Sequence, residues 1–98
     1  MNMLKEKNGS ELTIKPVGRI DVTNAAVFEH DVNEELEGVA DFTLDLSNVT
    51  YISSIGLRVI LEFQKRMEKQ GKMQVINVRD EIMEIFRIIG FDKVLNIV

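Results

Sequence analysis

Cysteine is absent from the 98 residues, which removes disulfides, thiol nucleophiles and thiolate metal sites and suits a reducing compartment. Histidine occurs once, at His30, and proline once, at Pro16. A lone imidazole lacks the further ligands a metal site needs, so neither a metal nor a cofactor is expected. Basic runs are missing too. Twelve Lys and Arg stand against sixteen Asp and Glu, and the net charge of -4 repels nucleic acid phosphates, which argues against direct nucleic acid binding. No apolar run approaches the ~20 residues of a membrane span, and residues 1–7 lack the apolar stretch of a signal peptide. A soluble, cytoplasmic protein is the expectation. Repeats, low-complexity tracts and linkers are also missing, so residues 1–98 are expected to form one domain. What is present is 45% hydrophobic and 29% charged, a balance that excludes a disordered tail and supports a buried core.

The chain alternates strand-like and helix-like stretches. Residues 11–20 place Leu12, Ile14 and Ile20 on one parity and Thr13, Lys15 and Arg19 on the other, as a half-buried strand does. Asn8-Gly9 precedes it as a hairpin turn signal, so residues 3–7 are predicted to pair antiparallel with it. Pro16 cannot donate to a ladder, which places this hairpin toward a sheet edge or calls for a bulge. A first helix is predicted over about 24–37, capped by Thr23 or Asn24, with Ala25, Phe28, Val32 and Leu36 at helical spacing. Phe42, Leu44 and Leu46 alternate in a core strand that Ser47-Asn48 closes. A second helix over about 54–70 carries Gly56, Leu57, Ile60, Phe63 and Met67 inward and ends at Gly71. Residues 73–78 read as an interior strand. A third helix near 79–90 carries Ile82, Ile85, Phe86 and Ile89 inward, and residues 94–98 close with a short strand. This order predicts an α/β domain: a mixed, mostly parallel sheet with an N-terminal antiparallel hairpin and three or more helices.

Enzyme constellations are nearly absent. His30 lies on the side of its helix away from Phe28 and Val32, which suits a surface role over catalysis, with Glu34 four residues on available for a helical pair. Glu29, Asp31, Glu34, Glu35 and Glu37 read as a solvated face, because catalytic carboxylates need opposing walls of a cleft. Gly18 and Gly56 are isolated glycines with no phosphate-cradling loop around them. The informative segment is Val49-Thr50-Tyr51-Ile52-Ser53-Ser54-Ile55-Gly56-Leu57-Arg58, where two adjacent hydroxyls open the second helix. Capping accounts for one serine, since a serine oxygen satisfies an otherwise unpaired N–H for ~1 kcal/mol. The other suits phosphorylation, because the positive end of the helix dipole tolerates a phosphate. Asp21 also follows a strand end, and under parallel pairing it leaves the sheet on the same edge as Ser53 and Ser54, where ligands and partners of open α/β sheets dock. Its ordinary alternative is a turn or capping carboxylate.

These residues resemble the STAS domain family, and within it the small free-standing bacterial anti-sigma factor antagonists. The resemblance spans essentially the whole chain. Its motifs are Gly18-Arg19-Ile20-Asp21, Leu44-Asp45-Leu46-Ser47 with Val49, Tyr51-Ile52-Ser53-Ser54-Ile55-Gly56-Leu57, and Ile89-Gly90-Phe91-Asp92-Lys93-Val94. In that family the central motif runs aromatic, apolar, Asp, Ser or Thr, small, Gly, Leu, and the hydroxyl after the Asp is phosphorylated. The resemblance therefore implies Ser54 as the phosphorylated residue, with Ser53 as the rival, and Asp21, Ser53, Ser54, Ile55, Gly56 and Leu57 as partner-binding. Here Ser53 stands where the family carries Asp, and Ile55 where it carries a small residue. Many members continue into another helix beyond the position of Val98. The implied role is that of a non-enzymatic partner-switching module in signal transduction and transcription regulation. Unphosphorylated, it would bind an anti-sigma factor with serine kinase activity; phosphorylation would release it, and a serine phosphatase would reset it. A phosphorylation-independent accessory subunit of a membrane transporter or other signalling complex is the alternative, prompted by the loss of Asp at Ser53. A small-molecule or nucleotide sensor finds no binding motif in the sequence.

Overall fold

The computed structural model describes residues 1–98. The chain begins with the hairpin β1 (Met3–Asn8) and β2 (Glu11–Pro16), paired antiparallel with Asn8 opposite Glu11. Gly9 and Ser10 are therefore the two central turn residues, one position beyond the Asn8-Gly9 pair that the sequence suggests. Gly9, at φ +63°, takes the first central position, where a type II′ hairpin requires positive φ. β4 (Asp41–Asp45) pairs parallel with β2, and β6 (Lys72–Ile76) pairs parallel with β4, giving a four-stranded sheet in the order β1-β2-β4-β6.

The strand expected over 11–20 divides in two. Pro16 ends β2 beyond the ladder to β4, which runs only from Glu11 to Ile14, so its missing N–H leaves no partner unsatisfied there. Gly18, at φ +96°, then turns the chain into β3 (Gly18–Ile20), which pairs parallel with β5 (Val49–Ile52) in a separate two-stranded sheet. β5 is an element that periodicity does not reveal: Val49 and Ile52 are buried while Thr50 and Tyr51 between them are exposed, so no alternation marks it. The C-terminal strand expected over 94–98 is reduced to one bridge. A 3-10 turn (Phe91–Lys93) leads to Ile97 beside Val75, held by Val75 N–H to Asn96 O and Val98 N–H to Val75 O.

Helices α1 (Ala25–Glu35) and α2 (Ser54–Gln70) supply the other side of the core. Leu12, Ile14, Phe42, Leu44, Met73 and Val75 alternate onto the buried face of the sheet, where Phe28, Val32, Ile60, Phe63 and Met67 join them. Phe63 is central, meeting Phe28 edge-on at 5.4 Å between ring centroids and Phe42 at 6.1 Å. Helix α3 (Asp80–Ile89) departs from expectation: it buries Ile82 and Phe86, whereas Ile85 and Ile89 stand 38% and 45% exposed. Met83, Ile85, Ile88 and Ile89 make this ten-residue helix apolar on more of its circumference than one core surface can cover. Leu57 is only partly buried.

Candidate functional site

The β3–β5 ladder aligns two tripeptides of the same form. Arg19-Ile20-Asp21 runs beside Tyr51-Ile52-Ser53, with Ile20 opposite Ile52 and both isoleucines buried in the core. The N–H of Ser53 donates to Ile20 O at 2.8 Å, so Asp21 and Ser53 are the next residues to leave the same end of the sheet.

Ser53 is the N-cap of α2, with extended backbone and an Oγ that accepts the Gly56 N–H at 3.1 Å. That bond satisfies one of the amides a helix leaves unpaired at its start, and the serine is buried as a result. Ser54, the first helical residue, is exposed, and its hydroxyl makes no hydrogen bond to the protein. The two hydroxyls thus divide the possibilities between them: Ser53 builds the helix start and Ser54 is left accessible. Gly56 is required by a close approach. A Cβ at this position would lie 2.8 Å from Ile20 Cγ2 and 2.9 Å from Ile52 Cγ2, so only glycine lets the first turn of α2 settle against β3 and β5. Ile55 is exposed on that turn and, with Glu29, Arg58, Val59 and Glu62, lines a shallow cleft of about 380 Å³.

Asp21 organises the turn between β3 and α1. Its Oδ1 accepts both the backbone N–H of Thr23, at 2.9 Å, and the Thr23 hydroxyl, while its own N–H donates to Asn24 Oδ1. Asn24 Nδ2 donates back to Arg19 O at 2.8 Å, which ties the turn to the strand. The Thr23 hydroxyl and N–H, helped by the nearby Arg19 charge, hold the Asp21 carboxyl below the ordinary aspartate range, so it is an anion at neutral pH. Asp21 Oδ2 stays clear of those bonds, 3.8 Å from Arg19 Nε. The Arg19 guanidinium lies over the exposed Tyr51 ring at 4.2 Å from its centroid.

The structure therefore brings Asp21, Ser53, Ser54, Ile55, Gly56 and Leu57 to one end of the molecule, but it divides their surroundings. Asp21, Ser54 and Ile55 reach solvent; Ser53 and Gly56 are buried parts of the turn, and Leu57 packs partly against the core. Arg19, Tyr51 and Thr23 belong to the same surface and escape a motif-by-motif reading. The matching i, i+2 spacing of Arg19/Asp21 and Tyr51/Ser53 is the signal that reveals Arg19 and Tyr51, once the two strands are taken as parallel neighbours. His30 is remote in role, its Nε2 2.9 Å from Glu34 Oε1 on the exposed face of α1. No three His, Asp or Glu side chains converge on a common point that could hold a metal ion.

Comparison with known protein families matches residues 2–98 to the STAS domain. The chain belongs to the STAS domain family. Among individual proteins, this STAS domain is 28% identical over 98 residues to the anti-sigma-B factor antagonist of Bacillus subtilis, spanning 99% of the chain and 90% of that relative. Its fold superimposes on an anti-sigma factor antagonist from Mycobacterium paratuberculosis with a TM-score of 0.88 at 20% identity, over 98% of this chain and 83% of the other. The phosphorylated form of the Bacillus cell fate determinant SpoIIAA matches with a TM-score of 0.76 at 13% identity, over 99% of this chain and 91% of SpoIIAA. No helix of this STAS domain is long and apolar enough to cross a membrane.

Proposed function

We propose that this STAS domain is an anti-sigma factor antagonist of the cytoplasm whose docking edge, around Asp21 and Ser54, is switched by phosphorylation of Ser54. The observation that carries the reading is the division of labour between the serines: Ser53 is consumed as a buried cap, and Ser54 presents a free hydroxyl at the same end of the sheet from which Asp21 emerges. The names of the relatives supply the partner class, an anti-sigma factor, and the phosphorylated SpoIIAA supplies a precedent for modification within the fold.

A phosphate on Ser54 would add close to two negative charges at the first turn of α2. There the unpaired N–H groups and the helix dipole offset it by ~0.3 to 1 kcal/mol, so the fold tolerates the modification. A partner would meet it differently, because a charge buried in an interface without a counterpart costs several kcal/mol. In this reading the anti-sigma factor is itself the serine kinase, a serine phosphatase restores binding, and the domain acts by docking rather than by catalysis. Incubation with the cognate kinase followed by phosphosite mapping tests the assignment. Phosphate on Ser54, absent in Ser54→Ala, is the expected result. Phosphate on Ser53, or on neither serine, would overturn it, and the latter would favour an accessory subunit that works without modification.

A further inference from the structure

Helix α3 carries a second surface. Ile85, Ile88 and Ile89 recur at i, i+3 and i+4 and stand 38%, 77% and 45% exposed; by the 100° helical step the stripe adjoins the buried pair Ile82 and Phe86, with Ile88 farthest around the helix from it. An exposed apolar stripe of this kind marks an interaction surface more often than an accident of composition. The charges on the same helix are arranged with polarity: Asp80 and Glu81 in the first turn, Glu84 at its middle, Arg87 in the last turn. None of these four side chains is in an ion pair within the molecule, although the rest of the surface forms six. Glu84 and Arg87 lie on one flank of Ile88 by the 100° helical step.

An acidic first half and a basic last turn make the helix complementary to itself when a second α3 runs antiparallel. Such a crossing, centred between Ile85 and Ile88, sets Ile85 of each helix against Ile88 of the other and brings Glu84 of each within reach of the other's Arg87. The helix dipoles also oppose, as they do in any antiparallel pair. A two-fold axis needs this self-complementarity, because the same patch must serve on both sides.

We propose that α3 is a homodimer surface, through which two copies of this chain pair antiparallel with the two-fold axis between Ile85 and Ile88. One short helix per copy makes a small interface, of the transient class. Sedimentation velocity on the full chain from ~5 to ~500 μM, the range suited to an interface below about 1,200 Å², is expected to carry the average mass from 11.2 kDa toward twice that value. Ile88→Glu should stay monomeric throughout with an unchanged circular dichroism spectrum, since the side chain it replaces is exposed. Glu84→Arg and Arg87→Glu should each shift association to several-fold higher concentration, and the double exchange should restore it. A chain that stays monomeric over the whole range, an Ile88→Glu protein that still dimerises, or a mass that grows beyond two copies would overturn the proposal. Failure of the double exchange to rescue would overturn the antiparallel arrangement.

Discussion

Ser53, Gly56 and Asp21 set the geometry of the proposed docking edge, each by a different physical means. Ser53→Ala removes the acceptor for the Gly56 N–H in a buried turn and should cost about 1 kcal/mol, read as a lower urea midpoint with unchanged slope. Ser53→Asp keeps a capping oxygen and adds a negative charge at the favourable end of the helix, so it should be tolerated. Gly56→Ala forces a Cβ onto two isoleucine methyl groups at under 3.0 Å. It should destabilise by about 1 to 3 kcal/mol, as overpacking does. A neutral or stabilising Gly56→Ala would show that the first turn of α2 does not press on β3 and β5.

Asp21 and Asp45 carry the acid sensitivity. Burial alone would raise the Asp45 carboxyl, but the Ser47 N–H, the Asn77 amide and the Lys15 charge hold it below the ordinary range, as Thr23 and Arg19 hold Asp21. Both folded values are depressed, so between them and the unfolded value of about 4 the unfolded chain binds more protons. Their stabilisation is complete above pH about 4 and fades as the pH falls through the folded values. Urea midpoints should therefore drop below pH about 4, and Asp45→Asn should flatten that drop. A midpoint that rises on acidification would contradict the sign.

At the scale of elements, α2 links core and site, because the helix that presents Ser54 at its first turn packs Ile60, Phe63 and Met67 into the sheet. Phe63→Ala empties the place where three aromatic rings meet and should cost about 3 to 5 kcal/mol. Denaturant melts would show it, and a loss below about 1 kcal/mol would place Phe63 outside the core. Helical periodicity located all three helices because their inward residues recur at three and four. It failed on α3 as a guide to burial: Ile85 and Ile89 fit the inward spacing but extend past the surface available to them. The strands were legible where one face is buried, as in β2 and β4. β5 was not, because a four-residue strand beside a single neighbour buries its ends and exposes its middle. The division of residues 11–20 was half visible in Pro16, whose missing donor signals an interruption but not the change of sheet that Gly18 completes.

Over the whole molecule, the two sheets separate duties. The four-stranded sheet with α1 and α2 forms the hydrophobic body, and the β3–β5 pair, stitched by Ser53 N–H to Ile20 O, projects Asp21 and Ser54 from one end. The sequence placed both residues at strand ends. Only the parallel register showed that Arg19 stacks on Tyr51 beside them, adding an Arg and a Tyr, residue types that dominate binding hot spots. Asp21→Ala should weaken partner capture far more than it lowers the melting temperature, since Asn24 still ties the turn to Arg19 O. Equal loss of both would assign the carboxylate a purely structural role.

In the proposed function Ser54 is a switch at an interface, not a support of the fold. Calorimetric titration of the anti-sigma factor into unmodified, Ser54-phosphorylated and Ser54→Ala protein tests this most directly, with circular dichroism recorded on each. Binding by the unmodified and Ser54→Ala forms, at least a hundredfold weaker binding by the phosphorylated form, and three superimposable spectra are predicted. Equal affinity of the phosphorylated and unmodified forms, or loss of the native spectrum on phosphorylation, would contradict it.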